Sequence, residues 1–223
     1  MKSAQSWSKI FPKPEEGDDD CVAVSRHLSF DLLIEGYFHG FFPWPHEGVD
    51  GFPWFSPDPR AVLFFDELHI PRSLAKTFRK SAGHWRVTRN QAFSRVIEEC
   101  KLAYRPGQGG TWISAEMQAQ YQALHREGYA HSLEVWEGSE LIAGIYGVYA
   151  GFAFSAESMF HKCTGASKFA VIELCKALQA RGLTFLDIQM LTPHLELLGA
   201  REISRSDFLK FRPRSLLTAL EFS

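Results

Sequence analysis

The sequence predicts an α+β fold in which helices cover a mixed, mostly antiparallel sheet. Residues 131–160 read as three strands joined by tight turns, with "EGSE" and Gly151 at the turns. Residues 165–182 then read as a helix between two glycines, and residues 184–191 read as a further strand. Because a strand that follows such a helix can return parallel to its neighbour, the sheet is expected to be mixed.

The composition describes a globular chain. Its 223 residues are 45% hydrophobic and 14% aromatic, which suffices for one large domain or for one domain with a small appendage. The net charge of −2 gives no basic excess of the kind that announces a nucleic-acid binder. No apolar run approaches the roughly 20 residues of a membrane span, and we expect no membrane association.

The cysteines and histidines indicate a reduced protein without a metal site. The four cysteines are widely spread and form no CxxC pair, which is typical of free thiols in the cytoplasm. None of the nine histidines forms an HxxxH or HExxH pattern. We therefore expect a cytoplasmic protein with no metal.

The first 63 residues predict a small N-terminal module. The acidic run from Glu15 to Asp20 is typical of a solvated lead-in. "SFDLLIEGYFHG" predicts a short helix that Ser29 caps and Gly40 ends. Residues 41–60 contain five prolines, which exclude a long helix, and many aromatics, which solvated linkers seldom carry. We expect this stretch to be packed, and we place the boundary between the module (1–63) and the main domain (64–223) near residue 63.

The first part of the main domain predicts a basic helix followed by a short strand. "RSLAKTFRKS", residues 72–81, is helical, and "HWRVT", residues 84–88, is a strand. The helix carries four basic side chains on one face, namely Arg72, Lys76, Arg79 and Lys80.

Two more helices are predicted before the three-stranded segment. "NQAFSRVIEECK", residues 90–101, is expected to be capped by Asn90. "RPGQGG", residues 105–110, is a turn-rich loop. The next helix follows Ser114 and stops at Gly128.

Two polar residues interrupt the last strand. Asp187 and Gln189 stand two residues apart in "TFLDIQML", so alternation places both on one face beside Phe185, with Ile188 on the other. Burying a carboxylate and an amide in a core strand is costly unless they have partners or a chemical role. From the residues alone, a structural role is the better explanation, because most buried polar groups are satisfied structurally.

The order of elements is that of a GNAT-like N-acyltransferase core, which predicts a GNAT-like domain over residues 64–223. GNAT acetyltransferases hold the cofactor pyrophosphate at the start of the helix with a [QR]xxGx[GA] pattern. The matching stretch here, "KCTGAS" at residues 162–167, departs at its first and last positions. We therefore expect an acyl donor other than acetyl-coenzyme A.

Nine short segments occur in one order along the chain. They are "FPWFSPDPRAVL" (52–63), "LHIPRSLAKTFRK" (68–80), "GTWISAEM" (110–117), "AHSLEVW" (130–136), "YGVYAG" (146–151), "ESMF" (157–160), "GASK" (165–168), "LDIQ" (186–189) and "HLELLGAREISR" (194–205). Together they resemble the leucyl/phenylalanyl-tRNA–protein transferases. The family's DCQ reads "DIQ" here, and its GGDLS-like segment reads "SRHLS" at residues 25–29, which changes charge and backbone freedom in the N-terminal module.

The resemblance implies an activity. Family members move leucine or phenylalanine, and sometimes methionine, from aminoacyl-tRNA to the α-amino group of proteins that begin with Arg or Lys. The added residue marks the product for N-degron proteolysis. Because the donor ester is already activated, the reaction needs no ATP, no metal and no cofactor, and positioning can supply much of the rate. The family also suggests a monomer.

The resemblance further implies roles for single residues. Asp187 and Gln189 match the family's catalytic pair, in which Asp187 polarises and orients Gln189 and the amide oxygen accepts a hydrogen bond from the attacking amine. Glu157 matches a glutamate near the bound adenosine and aminoacyl group. Trp44 and Trp112 match aromatic positions that hold the 3′ end of the tRNA.

Two larger sets follow from the same resemblance. The apolar pocket for the transferred side chain maps to Ile145, Phe154, Val171, Leu174 and Leu178. The tRNA acceptor stem is received by the basic helix face of Arg72, Lys76, Arg79 and Lys80, which explains how a protein of net charge −2 binds tRNA. Without the resemblance each set has a plainer explanation, since such apolar residues are usually core and such charged faces are usually solvated.

Three other functions remain open at this point. One is a different aminoacyl-tRNA-dependent transferase of the kind that builds peptidoglycan bridges, although those resemble doubled GNAT-like domains. Another GNAT-like N-acyltransferase would be indicated by direct binding of acetyl-coenzyme A. A non-catalytic tRNA- or degron-binding module would need no intact Asp187 and Gln189.

Overall fold

A computed structural model describes residues 11, 19–46, 48–81, 83–103, 111–212 and 219–222, except for the side chain of Lys80. In chain order the strands are β1 (Cys21–Ser25), β2 (Phe42–Pro43), β3 (Phe52–Phe55), β4 (Arg60–Phe64), β5 (Trp85–Arg89), β6 (Ala130–Glu137), β7 (Glu140–Tyr149), β8 (Phe154–His161), β9 (Phe185–Gln189) and β10 (Arg201–Ile203). The α-helices are α1 (Phe30–Phe38), α2 (Arg72–Ser81), α3 (Phe93–Leu102), α4 (Ala115–Arg126), α5 (Ala166–Gln179), α6 (Pro193–Glu196) and α7 (Arg205–Leu209). Among these helices none has the length and apolar character needed to cross a membrane. The predicted "RPGQGG" loop and most of the acidic lead-in lie outside the described residues.

The N-terminal strands form a small antiparallel sheet in the order β1-β3-β2. As predicted, Ser29 caps α1, and its hydroxyl accepts from the Leu32 N–H at 3.2 Å. Gly36 lets α1 lie directly on Trp54, since a Cβ at that position would stand 2.4 Å from the indole ring. Trp54 is fully buried and donates to Ser25 Oγ at 3.0 Å. The aromatic-rich stretch is therefore packed, as the sequence predicts.

The start of α3 differs from the prediction. Asn90 is not its cap: α3 begins at Phe93, and Asn90 adopts φ +57° before it. The Asn90 side chain binds β6 instead, where Oδ1 accepts from the Ser132 N–H at 3.1 Å. The buried carboxylate of Glu134 accepts from the Ala92 N–H at 3.3 Å and thus satisfies a donor at the helix start.

The larger sheet confirms the predicted fold class. Its seven strands run in the order β10-β4-β9-β8-β7-β6-β5. The strands β6, β7 and β8 form the predicted antiparallel meander, and β9 returns parallel to β8 after α5. The other neighbouring pairs are antiparallel, which gives the mixed, mostly antiparallel sheet of a GNAT-like core.

One strand lies across the predicted module boundary. β4 begins at Arg60 and pairs with β9 and β10, so the larger sheet already includes residues that precede position 63. Buried side chains of α1 and β3 also share a hydrophobic core with those of α3 and α4. The division into residues 1–63 and 64–223 stays a prediction.

Candidate active site

The candidate site lies where two parallel strands part. β8 and β9 are paired at Phe154 with Leu186 and at Ser155 with Asp187, and the residues that follow line a cavity of about 250 Å³. A second cavity of about 160 Å³ adjoins it. Four residues line both cavities, namely Trp112, Glu157, Gln189 and Met190. The functional groups of Glu157 and Gln189 therefore stand at the junction of the two cavities.

The backbone of Gln189 leaves the strand, so alternation alone does not place its amide. Gln189 has φ +62°, a left-handed conformation, and the Met190 N–H donates to the Ile188 carbonyl at 2.6 Å across it. This is a γ-turn, a strained conformation that clusters at functional sites. β9 consequently ends at residue 189 rather than 191, and Ile188, expected to face away from Gln189, lines the larger cavity with it.

Asp187 is fully buried and its carboxylate is fully hydrogen-bonded. It accepts a bidentate pair from Arg60, with Nε to Oδ1 at 2.8 Å and Nη2 to Oδ2 at 2.7 Å. Ser155 Oγ donates to Oδ2 at 2.6 Å, and the backbone N–H of Gln189 donates to Oδ1 at 3.1 Å. These four donors use the capacity of the carboxylate. Asp187 thus holds the backbone of Gln189, and its contact with that residue does not run through the side-chain amide.

Sequence reasoning missed Arg60, which is the counter-ion of Asp187. Its guanidinium lies between the rings of Phe42 and Phe208, at 4.8 and 4.7 Å from their centroids, and donates to the Gly40 carbonyl at 3.1 Å. The side chain is 1% exposed. The sequence does contain an indication of this pair. A charged Asp in a core strand requires a buried cation, and Arg60 begins a strand of otherwise apolar residues.

Glu157 is placed by an irregularity in β8. Tyr146 pairs with Ser158 and Gly147 pairs with Ala156, so Glu157 is the extra residue of a β-bulge. Bulges of this kind re-aim a side chain and are common beside active sites. Here the bulge turns the Glu157 carboxyl group toward Gln189, whose Nε2 donates to Oε1 at 2.7 Å.

Glu157 has an elevated pKa. Part of the side chain faces the cavities, but the carboxyl group is enclosed by Gln189 and by the phenol of Tyr121, whose oxygen lies 3.1 Å from Oε2. Burial raises the pKa of Glu157 to about 8, with a further increase from the charge of Asp187. The phenols of Tyr37 and Tyr121 act in the opposite direction on this pKa. At pH 7 the group is therefore mainly neutral.

The larger cavity contains part of the predicted apolar pocket. Of the predicted site residues it is lined by Trp112, Ile145, Glu157, Val171 and Gln189. The other walls come from Ala156, Ser158, Met159, Leu186, Ile188, Met190, Thr192 and Leu195. Phe154, Leu174 and Leu178 do not line the cavity and belong to the apolar core cluster that also contains Ile145 and Val171.

The smaller cavity brings the two predicted tryptophans together. Trp44 and Trp112 both line it, with Phe42, Pro43 and Met190. The Trp44 ring is held by T-shaped contact with Phe55 at 5.7 Å between centroids. Aromatic walls of this kind suit a flat ring such as a nucleobase.

The predicted basic face on α2 is exposed. Arg72, Lys76 and Arg79 are solvent-exposed, while Lys80 belongs to the same helix with a side chain that lies outside the described residues. The opposite face packs on the core through Phe78, whose ring lies 5.1 Å from that of Phe169 at the start of α5. Across the part of the chain that the structure describes, no acidic side chain forms an ion pair with the three exposed cations.

The described residues contain no group of three or more His, Cys, Asp or Glu side chains that could hold a metal ion. The polar groups of the site are instead those of Arg60, Asp187, Gln189, Glu157 and Tyr121. They form one connected set of hydrogen bonds from the core to the cavities.

Replacing Arg60 should destabilise the protein far more than replacing an exposed arginine. Arg60→Met keeps an unbranched side chain in the core but removes the guanidinium and leaves Asp187 as a buried, unpaired charge, and we expect a loss of about 3–5 kcal/mol in the free energy of unfolding. Arg201→Met is the control, since Arg201 pairs with Glu67 at 2.7 Å on the surface and should cost no more than about 1 kcal/mol. Urea denaturation of the two variants measures the difference, and equal losses would show that the buried pair has no special weight.

Comparison with known proteins identifies the family. A family model described as leucyl/phenylalanyl-tRNA protein transferase matches residues 62–212, and the model of its N-terminal domain matches residues 26–64. The leucyl/phenylalanyl-tRNA–protein transferase of Christiangramia forsetii is 47% identical over 204 residues, which cover 90% of this chain and 95% of that protein. The enzyme of that name from Pseudomonas fluorescens (strain SBW25) is 48% identical over 190 residues, covering 85% and 82%. A solved structure of L-PGS from Bacillus licheniformis is 14% identical, with a TM-score of 0.44 over 71% of this chain and 50% of that one. The sequence relatives and the family models show that this chain belongs to the leucyl/phenylalanyl-tRNA–protein transferase family.

Proposed function

We propose that this chain transfers leucine or phenylalanine from aminoacyl-tRNA to the N-terminal α-amino group of proteins that begin with Arg or Lys. Methionine is a further candidate donor, and the product is marked for N-degron proteolysis. The observation that carries the proposal is the pair of adjoining cavities with Glu157 and Gln189 at their junction. Membership of the family supports the same activity.

The two cavities fit the two ends of an aminoacyl-adenosine. The smaller cavity, with Trp44 and Trp112, offers aromatic walls for the adenine. The larger cavity, with Ile145, Val171 and Leu195, offers apolar walls for a leucine or phenylalanine side chain. The ester bond that joins the two halves then lies at the junction.

The chemistry at the junction is aminolysis of an ester. The acceptor nitrogen forms a bond to the ester carbonyl carbon, the bond from that carbon to the ribose oxygen breaks, the nitrogen gives up a proton, and the ribose oxygen gains one. Nε2 of Gln189 donates to Glu157, which leaves the amide oxygen of Gln189 (its own Oε1) to accept a hydrogen bond from the incoming amine. An amide is a weak base, so its contribution is orientation of the nucleophile rather than full proton removal.

The neutral state of Glu157 suits this reaction. The tetrahedral intermediate carries negative charge on the former carbonyl oxygen, and a carboxylate beside it would oppose that charge. Burial raises the pKa of Glu157 to about 8, which keeps the group uncharged at neutral pH. A neutral carboxyl group can also donate a hydrogen bond.

We assign the tRNA contact to the exposed cations of α2, since the three that the structure describes form no ion pair with a described acidic residue. Aminoacyl-tRNA as the donor substrate supports a cytoplasmic location. The monomeric state suggested by the family is part of the proposal.

An acetyl-coenzyme A-dependent reaction has less support. Lys162 stands at the first position of the altered phosphate-binding pattern, and its ammonium group pairs with Glu99 at 2.8 Å. Ser167, at the last position, lies 3.3 Å from the Nε2 atom of His194. Both polar groups are engaged by the protein itself.

The transfer reaction can be measured directly. The protein is mixed with Leu-tRNA, Phe-tRNA or Met-tRNA and a peptide that begins with Arg, and the peptide is weighed by mass spectrometry. We expect a mass gain of one leucine or phenylalanine, and the same for a peptide that begins with Lys. An acetylated peptide is the control, because it lacks the nucleophile. Absence of a tRNA-dependent mass gain with all three donors would refute the proposal, and binding of acetyl-coenzyme A would favour a GNAT acetyltransferase.

Charge reversal on α2 tests the tRNA contact. Arg72→Glu, Lys76→Glu and Arg79→Glu in one variant should weaken aminoacyl-tRNA binding and flatten its dependence on salt, because fewer counterions are released. Use of a minimal aminoacyl-adenosine donor should change little. The matched control reverses three exposed cations outside α2, Arg26, Arg95 and Arg126, which likewise form no ion pair with a described acidic residue. Equal weakening by the control variant, or equal loss with both donors, would contradict the assignment.

A further inference from the structure

A buried row of hydroxyl groups leads from the N-terminal helix to the active site. Tyr37 on α1 and Tyr121 on α4 are 2% and 0% exposed. Their phenol oxygens lie 2.6 Å apart, and the Tyr121 oxygen lies 3.1 Å from Oε2 of Glu157. The proposed transfer reaction does not require these two phenols for binding either substrate.

We propose that Tyr37 and Tyr121 are positioning residues that hold the proton of Glu157 away from Gln189, so that the amide oxygen of Gln189 stays free for the acceptor amine. The inference rests on the proposed function, since it concerns the same site. It also gives the N-terminal helix a part in the reaction.

The argument follows from the hydrogen-bonding capacity of a neutral carboxyl group. Such a group has one O–H donor, and at the Glu157 position it can point in two directions. If it donates to the Tyr121 phenol, its carbonyl oxygen accepts from Gln189 Nε2 at the observed 2.7 Å. If it donates instead to Gln189, it occupies the amide oxygen Oε1 that the amine needs.

The phenols favour the productive arrangement. In the structure the Tyr121 hydroxyl donates to Oε2 of Glu157 at 3.1 Å. When Glu157 carries a proton on Oε2, the same two oxygens can form the hydrogen bond in the other direction, and Tyr121 then donates to the Tyr37 oxygen at 2.6 Å. When Glu157 is charged, the direction reverses and Tyr121 donates to the carboxylate. In both states Oε1 of Glu157 remains the acceptor for Gln189 Nε2. The pair of phenols thus fixes the orientation of the Gln189 amide.

The groups that face Glu157 set the sign of the pH effect. Burial and the charge of Asp187 raise the pKa of Glu157, whereas the phenols of Tyr37 and Tyr121 and the guanidinium of Arg60 lower it. Tyr146, on β7, faces Tyr121 edge-on at 5.6 Å between ring centroids. Because each phenol lowers the pKa of Glu157, removing one raises this pKa further. The pH at which activity falls on the alkaline side should rise with it.

The test compares three Tyr→Phe variants in the transfer assay. Tyr121→Phe and Tyr37→Phe should each lower kcat by roughly tenfold, the size of one lost net hydrogen bond, with little change in KM for the donor. Their alkaline limb should move to higher pH than that of the unaltered protein. Tyr149→Phe is the control, since its phenol donates to the Gly151 carbonyl at 3.3 Å outside this row. Melting curves establish that kcat is measured on folded protein.

The outcomes distinguish a failure of the positioning role from a failure of the proposed transfer activity. An inactive unaltered protein would contradict the proposed function. An active unaltered protein together with unchanged kcat and unchanged pH profiles in both Tyr121→Phe and Tyr37→Phe would overturn the positioning role. A loss of kcat equal to that of Tyr149→Phe would overturn it as well, because general destabilisation would then explain the effect.

Discussion

The buried ion pair between Arg60 and Asp187 is the interaction on which the site depends. It joins β4 to β9 with two hydrogen bonds of 2.8 and 2.7 Å in a part of the core that water does not reach. An ion pair so deeply buried contributes little net stability, but the loss of one partner leaves an uncompensated charge. The contribution of the pair is to fix the position of the Asp187 carboxylate between β4 and β9. Asp187, once fixed by Arg60 and Ser155, holds the backbone N–H of Gln189.

The site is made by two local departures from regular strand structure. Glu157 is the extra residue of a bulge in β8, and Gln189 adopts a left-handed conformation at the end of β9. Each departure turns a polar side chain toward the gap between two parting parallel strands. The regular part of the sheet supplies the rigid frame, and the irregular residues carry the functional groups, as is common where backbone strain is found at functional sites.

Local patterns predicted the fold well, and tertiary contacts explain where they did not. Ser29 and Ser114 act as helix caps because a hydroxyl directly before the first helical residue can accept from the N–H three residues later, and both hydrogen bonds are present in the structure. Asn90 fails as a cap because β6 offers its side chain better partners. The pairing of Arg60 with Asp187 spans 127 positions of sequence, and no local pattern encodes it. Of the five apolar residues that the resemblance assigns to the side-chain pocket, Ile145 and Val171 line the larger cavity, and the pocket itself stays a prediction.

The most direct test of the account is the turnover of Asp187→Asn, Gln189→Ala and the double variant, measured on folded protein beside melting curves. If Asp187 acts by holding Gln189, each single change should lower turnover by a factor on the order of 10², the cost of misplacing a reacting group by about 1 Å. The double variant should then lose little beyond the worse single variant, because the two residues act as one unit. Binding of aminoacyl-tRNA should survive in all three. An Asp187→Asn variant that melts at lower temperature but turns over at the unaltered rate would contradict the account and leave Asp187 with a purely structural role.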